Sequence, residues 1–309
     1  MISRVSAGTA KPLAAVAPGA LDVIAPRASP SVELVAIGDT LDYDSVDFVV
    51  PTAEDQSLLD VLPDLSRLSV VQVMSAGTDW IEDRVPAQAT LCNARGARDG
   101  PVAEWVLGAL LGATTQLLAC AGARSWDRSH TVQDLGDWTV VVVGMGSIGR
   151  RLGAYLRPLG TRVVGVGSHA RDGLHGPDEL ASLLPTADAV VVLAPLTEAT
   201  RGLIGADALQ RMRDGALLVN AGRGAVLDTD ALVAELSSGR LRAVLDVVDP
   251  EPLPDGHPLW ETRGLLSMTP HIAGDSPAGN RRAAELAGDQ LARWARGESL
   301  LNIVRQGRR

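Results

Sequence analysis

The stretch TVVVVGMGSIGRR, residues 139–151, decides the fold. Its valines, Val140 to Val143, run directly into Gly144, Met145, Gly146, Ser147, Ile148 and Gly149. An unbroken run of β-branched residues suits a strand buried on both faces of a parallel sheet, and Arg150 to Leu159 has the pattern of a helix. Strand, glycine turn and helix form the context that a G-x-G-x-x-G pattern needs. In it Gly144 permits the tight turn, Gly146 lets the backbone approach a pyrophosphate, and Gly149 lets helix pack on strand. Ser147 and Ile148 of the turn are counted with the glycines as cofactor-binding, and the N-terminus of the helix that follows faces the phosphates. An ordinary glycine-rich turn between strand and helix is the alternative.

Working outward, 309 residues allow about two domains, each with its own core. Before the glycine turn, apolar runs at Leu13 to Ala17, Val32 to Ile37, Val46 to Val50 and Ser69 to Met74 alternate with helix-compatible segments. Pro51, Pro63 and Pro86 punctuate them, and a small parallel sheet is predicted. Pro101 opens a long helix over Val102 to Ala123, and Ser125 to Asp137 reads as a linker. After the turn, strands are predicted at Val163 to Val166, Ala189 to Leu193, Ala216 to Val219, Ala243 to Val247 and Leu265 to Met268. With the opening strand they make a six-stranded doubly wound sheet. Helices lie between them, such as Asp228 to Ser238, which begins with acids and stops at Gly239. The last helix, Ala278 to Arg296, follows the completed sheet and is expected to return to the first domain. The fold class is therefore α/β with two doubly wound parallel-sheet domains. A Rossmann dinucleotide-binding domain (99–276) is inserted in a smaller, flavodoxin-like substrate domain (1–98 and 277–309).

A formal charge of -9 argues against a nucleic-acid partner, because phosphate contacts need clustered cations. Lys11 is the one lysine, and the arginines are scattered among acids. Cys92 and Cys120 are too few for a disulfide framework, which makes a reducing cytoplasm the default. His130, His169, His175, His257 and His271 show no metal-ligand spacing, so no metal is expected. Pro18, Gly19 and Asp22 interrupt the apolar stretch Pro12 to Ile24, which excludes a signal peptide. Val106 to Ala123 contains Thr114, Thr115 and Gln116, and reads as a buried helix at a subunit interface rather than a membrane span.

In open α/β sheets ligands gather at the C-terminal ends of the strands, and several of those ends carry polar residues. Ser75, Ala76, Gly77, Thr78, Asp79 is a small-residue turn whose amides could hold a carboxylate; equally, it is a tight connection with Asp79 as a helix cap. The second strand of the glycine-turn domain ends in Gly167, Ser168, His169, Ala170, Arg171, and its first acid is Asp172. A hydroxyl and an arginine suit the 2′-phosphate of NADP, which a carboxylate would repel. In the other reading Arg171 is merely solvated, and Asp172 or backbone serves NAD. Arg223 stands in a glycine-flanked turn and can fork onto the carboxylate of a 2-keto or 2-hydroxy acid. Asp246 closes an apolar strand, Glu251 follows between Pro250 and Pro252, and His271 stands just past the final strand. Singly, Arg223 reads as a surface ion pair, Glu251 as a solvated loop acid and His271 as a capping or buried imidazole. Together at one sheet edge, they make a candidate catalytic set. His257, in Gly256-His257-Pro258, reads as a turn residue.

These motifs together resemble the D-isomer-specific 2-hydroxyacid dehydrogenase family, which includes glyoxylate, hydroxypyruvate, glycerate and phosphoglycerate reductases. The resemblance runs from the Ser75 turn to His271 and is carried by Gly144 to Gly149, Pro195-Leu196-Thr197, Val219 to Gly224, Leu245-Asp246-Val247, Glu251-Pro252 and Thr269-Pro270-His271. It implies that Arg223 binds the substrate carboxylate and carbonyl, that His271 is the acid/base, and that Glu251 orients the imidazole. It also implies that Pro195, Thr200, Ala221 and Asp246 contact the cofactor, Asp246 at the nicotinamide end. Ser75, Ala76 and Gly77 would meet the substrate, and the helix over 102–123 would build a homodimer. The missing acid after the second strand favours NADP over NAD. With little chain after Ile303, the regulatory domain of many phosphoglycerate dehydrogenases is not expected. In formate dehydrogenases of this fold the histidine's partner is not a glutamate, so Glu251 favours hydroxy acids. The expected function is hydride transfer between NADPH and a small 2-keto acid such as glyoxylate or hydroxypyruvate. The alternative is a dinucleotide-sensing interaction protein of the corepressor kind.

Overall fold

The computed structural model describes residues 11–171 and 173–308, so Asp172 lies outside the described residues. The chain forms two compact units: one takes the chain up to Arg98 and from Asp275 onward, the other is Asp99–Gly274. Each is built on a parallel sheet.

The first unit begins with β1 (Leu13–Val16), α1 (Leu21–Ile24), β2 (Glu33–Ala36), β3 (Phe48–Val50), α2 (Gln56–Val61), β4 (Val70–Gln72) and β5 (Thr90–Cys92). The second begins with α3 (Asp99–Thr114) and α4 (Leu117–Cys120), then β6 (Thr139–Val143), α5 (Ser147–Leu156) and β7 (Arg162–Val166). It continues through α6 (Leu180–Leu183), β8 (Ala189–Val192), α7 (Ala206–Arg211), β9 (Leu217–Asn220), α8 (Thr229–Ser237), β10 (Arg242–Leu245) and β11 (Leu265–Met268). The chain then returns to the first unit as α9 (Pro277–Ala295) and β12 (Ile303–Arg305).

The first sheet has the order β12-β5-β4-β3-β1-β2, and β12 is antiparallel to β5 while the others run parallel. Its strands read as continuous apolar runs because both faces are covered. Leu58, Leu62 and Ile81 pack on one side; Ile24, Phe48 and Leu291 pack on the other. Trp294 tilts against Phe48 with ring centroids 5.5 Å apart. Neither β5 nor β12 was expected from the sequence: Thr90–Cys92 and Ile303–Arg305 lack the apolar run that announces the equally short β3 and β4.

The second sheet, entirely parallel, has the order β11-β10-β9-β8-β6-β7. The chain goes from β6 to β7 on one side and then crosses to β8 on the other, so β6 and β8 flank the topological switch point, where such sheets bind ligands. Val140, Val141 and Val142 of β6 are completely buried, as their run of valines predicts. One cluster, with Leu180, Leu209 and Leu232, covers one face; another, with Val106, Leu110 and Leu152, covers the other.

The expected single helix over 102–123 is corrected. α3 ends at Thr114, Gln116 takes a left-handed φ of 62°, and a short α4 follows. The hydroxyls of Thr114 and Thr115 both donate to Leu111 O, which competes with the helical ladder where the apolar pattern carries on. No helix among the described residues is long and apolar enough to cross a membrane.

Candidate active site

The glycine turn sits on the switch point. Gly144 has φ +103°, and its amide and that of Met145 donate to Val166 O at 2.9 and 3.0 Å, tying the turn to the end of β7. A Cβ on Gly144 would lie 2.5 Å from Ala194 N, and one on Gly149 would lie 2.7 Å from Gly144 O. These two glycines are required by close packing of turn, strand and helix. A Cβ on Gly146 would meet nothing within 4 Å. There the backbone borders open space, beside the first amides of α5, which no side chain caps. Bare backbone, free amides and the positive end of a helix dipole fit a dinucleotide pyrophosphate.

At the end of β7, Ser168, His169, Ala170 and Arg171 are all exposed. Ser168 Oγ lies 3.0 Å from His169 Nδ1. At the end of β8, Pro195 is exposed, while Thr200 Oγ1 donates to Pro195 O at 2.6 Å and accepts from Thr197 N at 2.8 Å. The one hydroxyl proton of Thr200 thus goes to its own loop. The structure gives Thr200, expected as a cofactor contact, the task of shaping the Pro195 turn.

At the end of β9 a side chain that the sequence did not single out sets the geometry. Asn220 is completely buried; its Nδ2 donates to Arg223 O at 3.1 Å and its Oδ1 accepts from Gly222 N at 3.0 Å. This closes the Ala221–Arg223 turn from inside. Arg223 Nη1 also donates to Gly222 O at 2.9 Å. A Cβ on Gly224 would run into the carbonyl of Val248, so the Arg223 turn rests directly on the loop that leads to Glu251. Thr229 Oγ1 holds that loop by donating to Asp249 O at 2.7 Å.

The loops after β10 and β11 bring Glu251 and His271 together: His271 Nδ1 is 2.6 Å from Glu251 Oε1. Both side chains are partly exposed, at 46 % and 41 %. The carboxylate accepts the Nδ1 proton, which fixes the ring and leaves Nε2 for exchange with a ligand. His271 itself has φ +56°, a left-handed conformation that costs a non-glycine residue about 1 kcal/mol or more. Asp246, buried at 3 %, holds it there. Its Oδ1 accepts from Thr269 Oγ1 at 2.6 Å, Ile272 N at 2.9 Å and Ala273 N at 3.1 Å, and its Oδ2 from Ala273 N at 3.0 Å. Its backbone carbonyl takes the His271 amide at 2.8 Å. Through these bonds Asp246, expected at the nicotinamide end, also positions the histidine turn. His257 is elsewhere in use, its Nδ1 accepting from Leu259 N at 3.2 Å to cap a short turn.

Gly144, Ser168, Pro195, Arg223, Asp246 and His271 all follow the C-terminal ends of parallel strands of one sheet, so the second unit carries them along one edge. In the first unit, the turn after β4 places Ser75 Oγ on Gly77 O at 2.7 Å, with Trp80 Nε1 donating to Ser75 Oγ at 3.2 Å. Asn93 Nδ2 donates to Ala76 O at 2.7 Å. The amides of Ala76, Gly77 and Thr78 make no hydrogen bond among the described residues.

Residues 109–273 match the NAD-binding domain of the D-isomer specific 2-hydroxyacid dehydrogenases. The chain is 36% identical to an uncharacterised protein in the proB 3′ region of Corynebacterium melassecola, over 75% of this chain and 79% of that protein. To the glyoxylate reductase of Aeropyrum pernix it is 30% identical, over 79% of this chain and 78% of the reductase. Among solved structures, the NADPH-dependent glyoxylate/hydroxypyruvate reductase of Sinorhizobium meliloti, in complex with NADP and sulfate, superposes with a TM-score of 0.81 at 26% identity. That match covers 95% of this chain and 98% of the other. Glycine cradle, histidine–glutamate pair and these relatives agree: the chain belongs to the D-isomer specific 2-hydroxyacid dehydrogenase family, oxidoreductases that act on CH–OH donors with a nicotinamide dinucleotide.

Proposed function

We propose that this protein is an NADPH-preferring reductase of small 2-keto acids of the glyoxylate or hydroxypyruvate type, forming the D isomer wherever the product is chiral. The observation that carries the reading is the His271–Glu251 pair at 2.6 Å, on the same sheet edge as the glycine turn and Arg223. When bound, the nicotinamide supplies the hydride that reduces the keto carbon. His271 holds the proton at Nε2 and delivers it to the carbonyl oxygen, and Glu251 keeps the ring oriented. Arg223 forks onto the substrate's carboxylate, fixing which face of the carbonyl is presented. Ser75, Ala76 and Gly77 join the substrate set through their turn amides.

The preference for NADPH rests on Ser168, His169 and Arg171. They place a hydroxyl, an imidazole and a guanidinium where a carboxylate would otherwise take the ribose hydroxyls. The Sinorhizobium relative, described as NADPH-dependent, supports the same assignment. Gly144, Gly146, Ser147, Ile148 and Gly149 hold the pyrophosphate, and Pro195 and Ala221 line the cofactor. The unit Asp99–Gly274 is thus the dinucleotide-binding domain, and the other unit the substrate domain. A cytoplasmic homodimer built through α3 and the segment after it completes the reading.

The test is the initial rate of NADPH and NADH oxidation with glyoxylate, hydroxypyruvate, pyruvate and bulkier 2-keto acids at equal cofactor concentrations. Faster turnover with NADPH on a small acid is expected. Preference for NADH would keep the reaction and overturn the cofactor assignment. Bound cofactor with no turnover on any acid would point instead to a dinucleotide-sensing protein.

A further inference from the structure

Between β7 and α6 the chain makes a closed clasp. It leaves the sheet at Gly167 and comes back at His175, whose amide donates to Gly165 O at 2.9 Å and whose carbonyl accepts from Gly167 N at 2.9 Å. His175 therefore lies beside Val166 as one parallel bridge, an extra residue of sheet. Inside the clasp Arg171 and Leu174 exchange both backbone bonds, at 3.1 and 2.8 Å. Leu174 packs into the core next to Met145 and occupies the space that the missing side chain of Gly165 leaves. The returning leg is pinned by Glu179: its Oε2 lies 2.7 Å from His175 Nδ1, and its Oε1 accepts from Gly176 N at 3.0 Å. Both carboxylate oxygens are thus used on two consecutive residues of one leg.

We propose that the His175–Glu179 pair is a positioning device for cofactor discrimination, holding the clasp so that Ser168, His169 and Arg171 form a ready-made seat for the 2′-phosphate. The inference rests on the NADPH reading above. An exposed loop that must order itself around a phosphate loses conformational freedom at that moment, which weakens binding. A loop already closed by sheet bonds, a partly buried leucine and a two-residue carboxylate bridge has little left to lose. The bonds from His175 and the Gly176 amide hold the Glu179 carboxyl below the usual carboxylate range, so the acid is ionised and available as a double acceptor. Neither His175 nor Glu179 needs to touch the cofactor. The readout of their role is selective: the 2′-phosphate is the part of NADPH that NADH lacks.

The experiment measures KM for NADPH and for NADH, kcat, and the melting temperature in the full-length enzyme and its variants. For His175→Ala and Glu179→Ala we expect KM for NADPH to rise about 3- to 10-fold, the loss of one or two hydrogen bonds' worth of order. KM for NADH, kcat and melting temperature should stay near wild type. Glu179→Gln, which still accepts from Gly176 N and can still meet the His175 ring, should restore most of the NADPH affinity. Arg171→Ala serves as the control for the seat itself. If wild type shows no preference for NADPH, or Arg171→Ala leaves KM for NADPH unchanged, the NADPH reading fails. If Arg171→Ala raises it while the clasp variants do not, or if these raise KM for both cofactors equally, the clasp proposal alone is overturned.

Discussion

Asp246 shows how the proposed acid/base, His271, is held by its neighbours. The left-handed backbone of His271 is unfavourable on its own, and four hydrogen bonds to one buried carboxylate make it the stable arrangement. The imidazole is then aimed by Glu251, a residue 20 positions away. His271→Gln is expected to lower kcat by about 100-fold or more, because general acid catalysis contributes about that much, while the dissociation constant for the cofactor stays unchanged. Steady-state rates and a fluorescence titration with NADPH check both halves, and loss of cofactor binding would mean that His271 is part of the cofactor's seat. The residues themselves were legible in the sequence: an acid or a histidine directly after an apolar run is conspicuous. The resemblance also paired Glu251 with His271; the partners of Asp246 and Thr200 were not legible. Asp246 reads equally well as a ligand contact or a turn anchor, and Thr200 as a donor to cofactor or to Pro195, because hydrogen-bond direction is settled by turn geometry and not by spacing. Asn220 gave no signal at all, since an asparagine beside a glycine turn is ordinary.

At the scale of elements, the junction of β6 and α5 was the most readable part of the chain. Burial on both faces demands the valines, and close packing demands Gly144 and Gly149, so local physics and sequence agree. Gly146 differs, because a Cβ there meets no protein atom. Gly146→Ala is therefore expected to leave the melting temperature within about 1 °C of wild type, since no buried contact is lost. It should weaken cofactor binding about 10-fold or more, because the methyl takes the place the pyrophosphate needs. Calorimetry and a cofactor titration separate the two effects, and unaltered affinity would overturn the pyrophosphate assignment. The helix after Asp99 was harder to read. Its apolar pattern continues through Leu117 and Leu118, so periodicity alone carries the helix past Gln116. What ends α3 is threonine hydroxyls returning to Leu111 O, a competition that a hydrophobic pattern does not register. β3 and β4, only three residues each, were announced by apolar runs, whereas β5 and β12, which lack one, become visible only with the sheet.

At the scale of the whole molecule, the doubly wound organisation followed from the alternation of runs and breakers, and the second sheet from the number of strands after residue 139. Surface use is less evident. Leu117, Trp126 and Val132 are 68 %, 93 % and 65 % exposed, a concentration of apolar side chains along one segment that follows α3. A second copy of the chain as their cover is expected to give a solution mass twice that of the chain, measured by light scattering, with Leu117→Asp shifting the enzyme toward monomer at micromolar concentration. A monomer mass for wild type would overturn the dimer.

The return of α9 and β12 to the first sheet also governs the order in which the protein comes into being. A ribosome releases Asp99–Gly274 as one uninterrupted piece, and that unit has all of its strands before the chain is finished. The first unit, although most of its strands are made earlier, must wait: Leu291 and Trp294, which close the core over Phe48, and β12, which covers the edge of β5, are translated only after Asp99–Gly274. During that interval β5 is an open edge and Phe48 an uncovered apolar face, the kind of surface that invites association with the wrong chain. The unit whose first strands are made earliest is therefore closed only after the whole of Asp99–Gly274 has been made.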